Sequence, residues 1–336
     1  MMKLQISGRP HRQALGQRGM TLIELMVAMT IGLFLMLVLS AAYFNATQLF
    51  RTQNQLAELQ DNGRSAIEVL TKELRMVGYL GCVNEASLVA RPFESIQGFD
   101  SVTAAAYVAA FGAAPAGAFA VVPAAPVLVI RHGSYQSIPV TGVTPANITA
   151  GPDTFGWDGG APQMLISDCM QARQFVPTAI AGGRVNTIIA TAAGAGFTET
   201  ARVRTVETSL FFLATPNGHS QPSLYQHFSN GDVNQYLRVA DNVANWHLSY
   251  ATVANVANDS TVDTTDQAAQ TVTDSAGGWA SVKSLRVDLL LMGSKPVLSD
   301  PASYWFNFAA ATPADRFLRK EMASTLALRN RIQVVQ

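Results

Sequence analysis

The feature that most constrains this chain is a long run without charge. From Leu25 to Phe50 there is no Asp, Glu, Lys or Arg, and Leu25 to Phe44 is almost wholly apolar and free of proline. A helix rises about 1.5 Å per residue, so such a stretch spans roughly 30 Å, the thickness of a bilayer's hydrocarbon core. Residues 1–19 carry Lys3, Arg9, Arg12 and Arg18 and no acid. Basic residues ahead of an apolar span hold the N-terminus in the cytoplasm. The chain beyond residue 44 is therefore expected on the far side of the membrane.

Composition bears on the partners. Lys+Arg and Asp+Glu are both 23, which argues against nucleic acid, since a basic surplus would mark such a binder. Charged residues make up only 14% and hydrophobic ones 49%. That balance suits a chain that buries surface in a membrane or an assembly. Cys82 and Cys169 are the only cysteines, too few for a Cys-rich zinc site. Two buried free thiols, or one disulfide in an oxidising compartment, both fit.

Three readings compete for the N-terminus. A secretory signal has a shorter apolar region, cleaved on its far side; here Ser40-Ala41-Ala42 would be a poor cleavage site. A plain signal anchor needs only the basic flank and the apolar span. Neither explains Glu24, just inside the membrane segment. Placing an acid at a helix centre in lipid costs about 3 kcal/mol, less towards the end, so Glu24 needs a partner.

The run Gly19-Met20-Thr21-Leu22-Ile23-Glu24 resembles the prepilin peptidase site of type IV pilins and type II secretion pseudopilins. The resemblance implies a cut between Gly19 and Met20 on the cytoplasmic side, N-methylation of Met20, and Glu24 as the fifth mature residue. Its carboxylate would then meet a neighbouring subunit's terminal ammonium in the filament's apolar core. Such a pair adds little net stability but specifies register. Met20 departs from the family's usual Phe.

Beyond the apolar span, Leu49, Leu56, Leu59, Ala66, Leu70, Leu74 and Val77 recur at helical spacing. Arg51, Glu58, Asp61, Arg64, Glu68, Lys72 and Arg75 occupy the other face, with Glu68 and Lys72 in the favourable i,i+4 order. Asn62-Gly63 is expected to kink or loosen this helix, and Gly78 and Gly81 to end it. The Asn62-Gly63-Arg64 and Arg75-Met76-Val77-Gly78-Tyr79-Leu80-Gly81-Cys82 elements are similar to those of PilW-type minor pilins. So are Leu165-Ile166-Ser167-Asp168-Cys169 and Leu326-Ala327-Leu328-Arg329-Asn330-Arg331.

Past residue 82 the pattern changes. Val127 to Ile130, Met164 to Ile166, Val185 to Ala190, Leu210 to Leu213, Trp246 to Tyr250 and Val282 to Met292 read as strands. Residues 103–126 and 251–278 read as long surface loops. The expected fold is α+β, with a long N-terminal helix packed on an antiparallel β-sheet, as in pilins. The expected divisions are a leader at 1–19, a membrane or filament-core half-helix at 20–44, an amphipathic periplasmic half-helix at 45–81 and one β-rich domain at 82–336. With that domain in the periplasm, a Cys82–Cys169 disulfide is expected, tying the helix end to a strand.

No motif for chemistry stands out. His11, His132, His219, His227 and His247 form no metal-binding pair on a helix, and no P-loop, dinucleotide or Gly-x-Ser-x-Gly pattern occurs. Acidic turns at residues 156–160 and 259–266 lack the EF-hand pattern. The expectation is no enzyme activity, no cofactor and no metal. The resemblance implies a structural subunit that helps initiate pilus assembly and sits in the tip complex. Its partners would be other minor pilins, the major pilin, the prepilin peptidase, the assembly platform, a tip adhesin and the inner membrane. The alternatives are a large minor pseudopilin of type II secretion and a membrane-anchored periplasmic binding module.

Overall fold

The computed structural model describes residues 19–83, 94–101, 119–145, 147–151, 163–177, 179–181, 187–189, 194, 196–230, 234–254, 262–275 and 277–331. It divides into two compact units, Met1–Arg51 and Thr52–Gln336. Helix α1 (Leu22–Met76) begins in the first and ends in the second.

In the first unit the helix is apolar and bare. Every residue from Gly19 to Ala46 is exposed, with Leu33 at 71%. Leu49 belongs with it: its spacing suggested the core-facing stripe, but it is exposed. The apolar side chains here have no protein surface to cover, as expected of a segment whose solvent is lipid or other helices.

The second unit begins where one helix face turns inward. Gln55, Leu59, Gly63, Ala66, Leu70 and Leu74 are buried and recur every three or four residues, so they share one face. The charged residues assigned to the opposite face are exposed. The helix does not break at Asn62-Gly63. Gly63 is buried, and a Cβ there would overlap Met322 Sδ and Leu291 Cδ1. Glycine permits the helix to approach the sheet closely, and the propensity loss of about 1 kcal/mol is accepted for that contact.

The strands form three sheets among the described residues. The largest takes β1 (Ile96–Phe99), β2 (Phe119–Val121), β3 (Val127–Gly133), β4 (Ile138–Val143), β5 (Asn147–Ala150), β6 (Met164–Ser167), β7 (Ala172–Phe175), β8 (Ala179–Ala181), β9 (Thr187–Ile189), β10 (Arg202–Pro216), β11 (Ser223–Ser229) and β12 (Asn234–Ala240). Strand β10 is its trunk. Its first residues pair with β4 and β6, and its later ones with β3, β11 and β2, all antiparallel.

The second sheet, in the order β14-β13-β15-β18, contains β13 (Val243–Thr252), β14 (Thr264–Gln267), β15 (Val282–Pro296) and β18 (Phe317–Ala327). A small hairpin, β16 (Tyr304–Phe306) with β17 (Ala309–Ala311), lies between β15 and β18 in sequence.

One core joins these parts. Leu59, Leu70 and Leu74 of α1 cluster with Ile130 of β3, Phe211 of β10, Trp246 of β13 and Leu289 of β15, all buried. The fold is thus α+β, a long helix whose second half packs on antiparallel sheet. The segment 251–278 departs from the loop expectation. It contains β14 and a short helix, Ala269–Asp274, whose Ala269 and Val272 are buried. Apolar residues there are too few to show periodicity in the sequence. Most of the Ala-rich 103–126 segment, the whole acidic turn at 156–160 and the first residues of the one at 259–266 lie outside the described residues.

Candidate assembly site

The start of α1 is the first part of the site. Thr21 stands just before the helix, and its hydroxyl accepts a hydrogen bond from the Glu24 amide at 3.4 Å. Thr21-Leu22-Ile23-Glu24 has the capping-box spacing, and an acid in the first turn also meets the positive end of the helix dipole. Thr21 was not singled out from the sequence, although Thr-x-x-Glu before an apolar run is a recognised signal. Thr21 is therefore the helix cap, and the Glu24 carboxylate stands in the first turn beside it. Gly19 and Met20 precede the helix and are exposed.

The other end of α1 is locked from far along the chain. Asn330 Nδ2 donates to the carbonyls of Arg75 and Val77, at 3.0 and 3.1 Å. Helix C-termini leave carbonyls without partners, and here a side chain 255 residues away satisfies them. Arg331 is buried and donates through Nη1 to the carbonyls of Trp279 (2.6 Å) and Val282 (3.2 Å). Lys283 Nζ in turn donates to the Arg331 carbonyl at 2.7 Å. The Leu-Arg-Asn-Arg element is thus a clasp between helix and sheet.

The Gly-Tyr-x-Gly-Cys element makes the turn after the helix. Gly78 has φ 72° and Gly81 φ 112°, left-handed values that L side chains rarely adopt. The Tyr79 carbonyl accepts the Gly133 amide at 2.7 Å, and the Arg204 guanidinium lies 5.6 Å from the Tyr79 ring centre. The chain then reaches Cys82, disulfide-bonded to Cys169 with Cα atoms 5.1 Å apart. Asp168 Oδ1 accepts the amides of Met170 and Gln171, both at 2.8 Å, which shapes the turn carrying Cys169. The bridge closes a separation of 87 residues, for which the chain-entropy model gives about 4–5 kcal/mol.

Between these ends lies a buried polar network. Ser209 Oγ donates to Glu73 Oε2 at 2.7 Å, and Gln226 Nε2 donates to Ser209 Oγ at 3.0 Å. His132 Nε2 stands 3.8 Å from Glu73 Oε2, and its Nδ1 is 3.0 Å from the Gly133 carbonyl and 3.8 Å from Glu207 Oε2. Burial alone would depress the His132 pKa, but the Glu73 carboxylate, the Gly133 carbonyl and the Glu207 charge together hold it above the ordinary value. Burial likewise works against the Glu73 charge, yet His132, Ser209 and Gln226 hold its carboxyl below the usual range. This arrangement pins the helix to β3, β10 and β11.

The remaining described histidines have local surroundings. The His227 ring stacks on Tyr236 at 4.1 Å, and its Nε2 meets Asn234 Oδ1 at 2.9 Å. His247 Nδ1 lies 3.6 Å from the buried Asp288, which is shared with Arg286. His219 is exposed, and His11 lies outside the described residues.

An exposed apolar helix of membrane-spanning length, continuing into a helix-on-antiparallel-sheet domain, is a pilin-like arrangement. Residues 15–40 match the prokaryotic N-terminal methylation motif, and residues 210–330 match the family model of type IV pilus-assembly protein W, PilW. The chain thus matches the PilW family model over its C-terminal part and carries a prepilin-type signal at its start. No curated protein and no solved structure matches it. The PilW match takes in β13, β15, β18 and the Asn330 clasp. Pilin-family domains are structural, and a type IV pilus surrounds such a chain with other pilins and the pilus machinery. The apolar helix with its pilin signal goes with membrane anchoring and association with the pilus.

Proposed function

We propose that this chain is a minor pilin without enzymatic activity, cut by the prepilin peptidase between Gly19 and Met20 and N-methylated on Met20. Its apolar half-helix sits in the inner membrane with the N-terminus cytoplasmic and the sheet domain periplasmic, then enters the core of the filament. There it joins other minor pilins on the assembly platform, helps start the filament and takes a place in the tip complex that supports an adhesin. The observation that carries this reading is the methylation-motif match over residues 15–40, on a segment left exposed from Gly19 to Ala46.

Glu24 would set the register between subunits. Left alone in an apolar filament core its charge is costly, so a subunit that brings an ammonium opposite it is selected over one that does not. Intact mass of the membrane-extracted protein should begin at Met20 and carry one methyl group. Retention of residues 1–19 would sink the reading. Glu24→Gln leaves the Thr21 cap in place and removes the charge. It should leave membrane insertion intact and reduce entry into filaments, and unchanged entry would overturn the register role.

A further inference from the structure

Thiol–disulfide exchange starts when a thiolate reaches a sulfur, so exposure separates a sealed bridge from one open to other thiols. Cys82 and Cys169 are both exposed. Met170, the residue after Cys169, is 84% exposed, so the turn between β6 and β7 lies open on the surface. The residues just inside the bridge are buried. Leu80, Leu165, Ala172 and Val206 form a small cluster there, with Leu80 at 1% exposure.

Each side of the bridge is also held by contacts that do not pass through sulfur. On the Cys82 side the Tyr79 carbonyl accepts the Gly133 amide at 2.7 Å, and Leu80 packs in the small cluster. On the Cys169 side β6 and β7 pair through Ser167↔Ala172, and the Asp168 amide donates to the Gln171 carbonyl at 3.0 Å. The Asp168 carboxylate adds its two bonds to the Met170 and Gln171 amides. Leu59, Phe211, Trp246 and Leu289 belong to a different, larger core cluster. Backbone on both sides is thus fixed locally, and the Cα atoms stand 5.1 Å apart, within the span a disulfide needs.

We propose that the Cys82–Cys169 bridge is a surface site of reversible thiol–disulfide exchange, opened and reclosed in the folded protein by a protein dithiol of the Cys-x-x-Cys class. A thiolate of the dithiol attacks one sulfur of the bridge, and the other leaves as a thiolate and takes a proton. The second thiol of the dithiol then attacks the mixed disulfide and releases the remaining cysteine. The dithiol ends as a disulfide, and its two electrons and two protons end on Cys82 and Cys169. The fixed backbone selects this class of reductant. The cysteine freed in the first step stays at bridging distance and re-attacks the mixed disulfide. A monothiol is thrown off by that return, whereas a dithiol has a second sulfur held close enough to compete with it.

Reduction kinetics of the full-length chain in detergent test this, read by thiol alkylation and intact mass. With dithiothreitol the rate should be proportional to reagent, unaffected by denaturant below the unfolding transition, and within about 100-fold of the rate for the guanidinium-unfolded chain. The reduced chain should keep slow amide exchange at Leu165 and Val206, and oxidised glutathione should reclose the bridge. A reduced Cys-x-x-Cys oxidoreductase should open the bridge in the folded chain, and the same oxidoreductase with its second cysteine replaced by serine should not. A slower rate that climbs with denaturant overturns the inference, because the bridge then opens only by unfolding. Loss of amide protection on reduction, failure to reclose, no opening by the dithiol protein, or equal opening by its serine variant also overturns it. The proposed function is untouched by any of these results, since it is decided at the N-terminus.

Discussion

At the scale of single residues, two positions show how the helix is held. Gly63 lets α1 lie against Met322 and Leu291. Gly63→Ala sets a helix-propensity gain of about 1 kcal/mol against overlap with Met322, which can move, and with the buried Leu291, which moves less readily, so it should be mildly destabilising. Gly63→Leu has no such escape, and overpacking should destabilise the protein by about 1–3 kcal/mol, read from denaturant midpoints. Asn330 works differently, through two bonds to the carbonyls of Arg75 and Val77. Asn330→Ala should lose about 1–2 kcal/mol, with faster amide exchange in the last turn of α1 as its local signature. Neither role is legible in the sequence. A mid-helix glycine reads as a break, and a clasp between residues 75 and 330 is invisible to any local pattern.

At the scale of elements, the docking of α1 on β3, β10 and β11 passes through ionisable groups, so its strength depends on pH. His132 is held above its ordinary value of 6.5. Its contribution is therefore full below that value and is lost as pH rises through the raised pKa. Glu73 is held below its ordinary value of 4.5, so its contribution is present above that value and lost as pH falls through the lowered pKa. Docking should be strongest between the two, from mildly acidic to near neutral. His132→Gln should flatten the alkaline side of a stability-against-pH curve and leave the acid side in place. A curve unchanged by the substitution would remove His132 from this role.

Strand legibility also divides by element. The strands β3, β6, β13 and β15 announce themselves through runs such as Val127-Leu128-Val129-Ile130 and Val287-Asp288-Leu289-Leu290-Leu291. Strand β18 does not. Phe317-Leu318-Arg319-Lys320-Glu321-Met322-Ala323 is rich in helix-favouring residues, and only its pairing with β15 makes it a strand. The N-terminal motif was legible because its chemistry is local: a glycine, an acid and an apolar run read in one direction.

At the scale of the molecule, the division at Arg51 separates two kinds of surface. The exposed large apolar side chains of α1 run from Leu22 to Phe50, within the first unit, whereas the shared core of Leu59, Leu70, Leu74 and the sheets lies wholly in the second. A chain starting at Thr52 keeps the buried helix face, the clasp at Asn330 and the Cys82–Cys169 bridge. It should express as a soluble, cooperatively unfolding protein when made in an oxidising compartment. A chain starting at Val77 discards Leu59, Ala66, Leu70 and Leu74, and with them one wall of that core. Removing a single buried Leu side chain costs about 2–5 kcal/mol, and domains of this kind hold only about 5–15 kcal/mol in reserve. The shorter chain should therefore be unfolded or aggregated. Circular dichroism and thermal unfolding of the two truncations decide the matter. If the Thr52 chain fails to fold, the second unit draws stability from the apolar segment; if the Val77 chain folds, the helix is an appendage to the sheets.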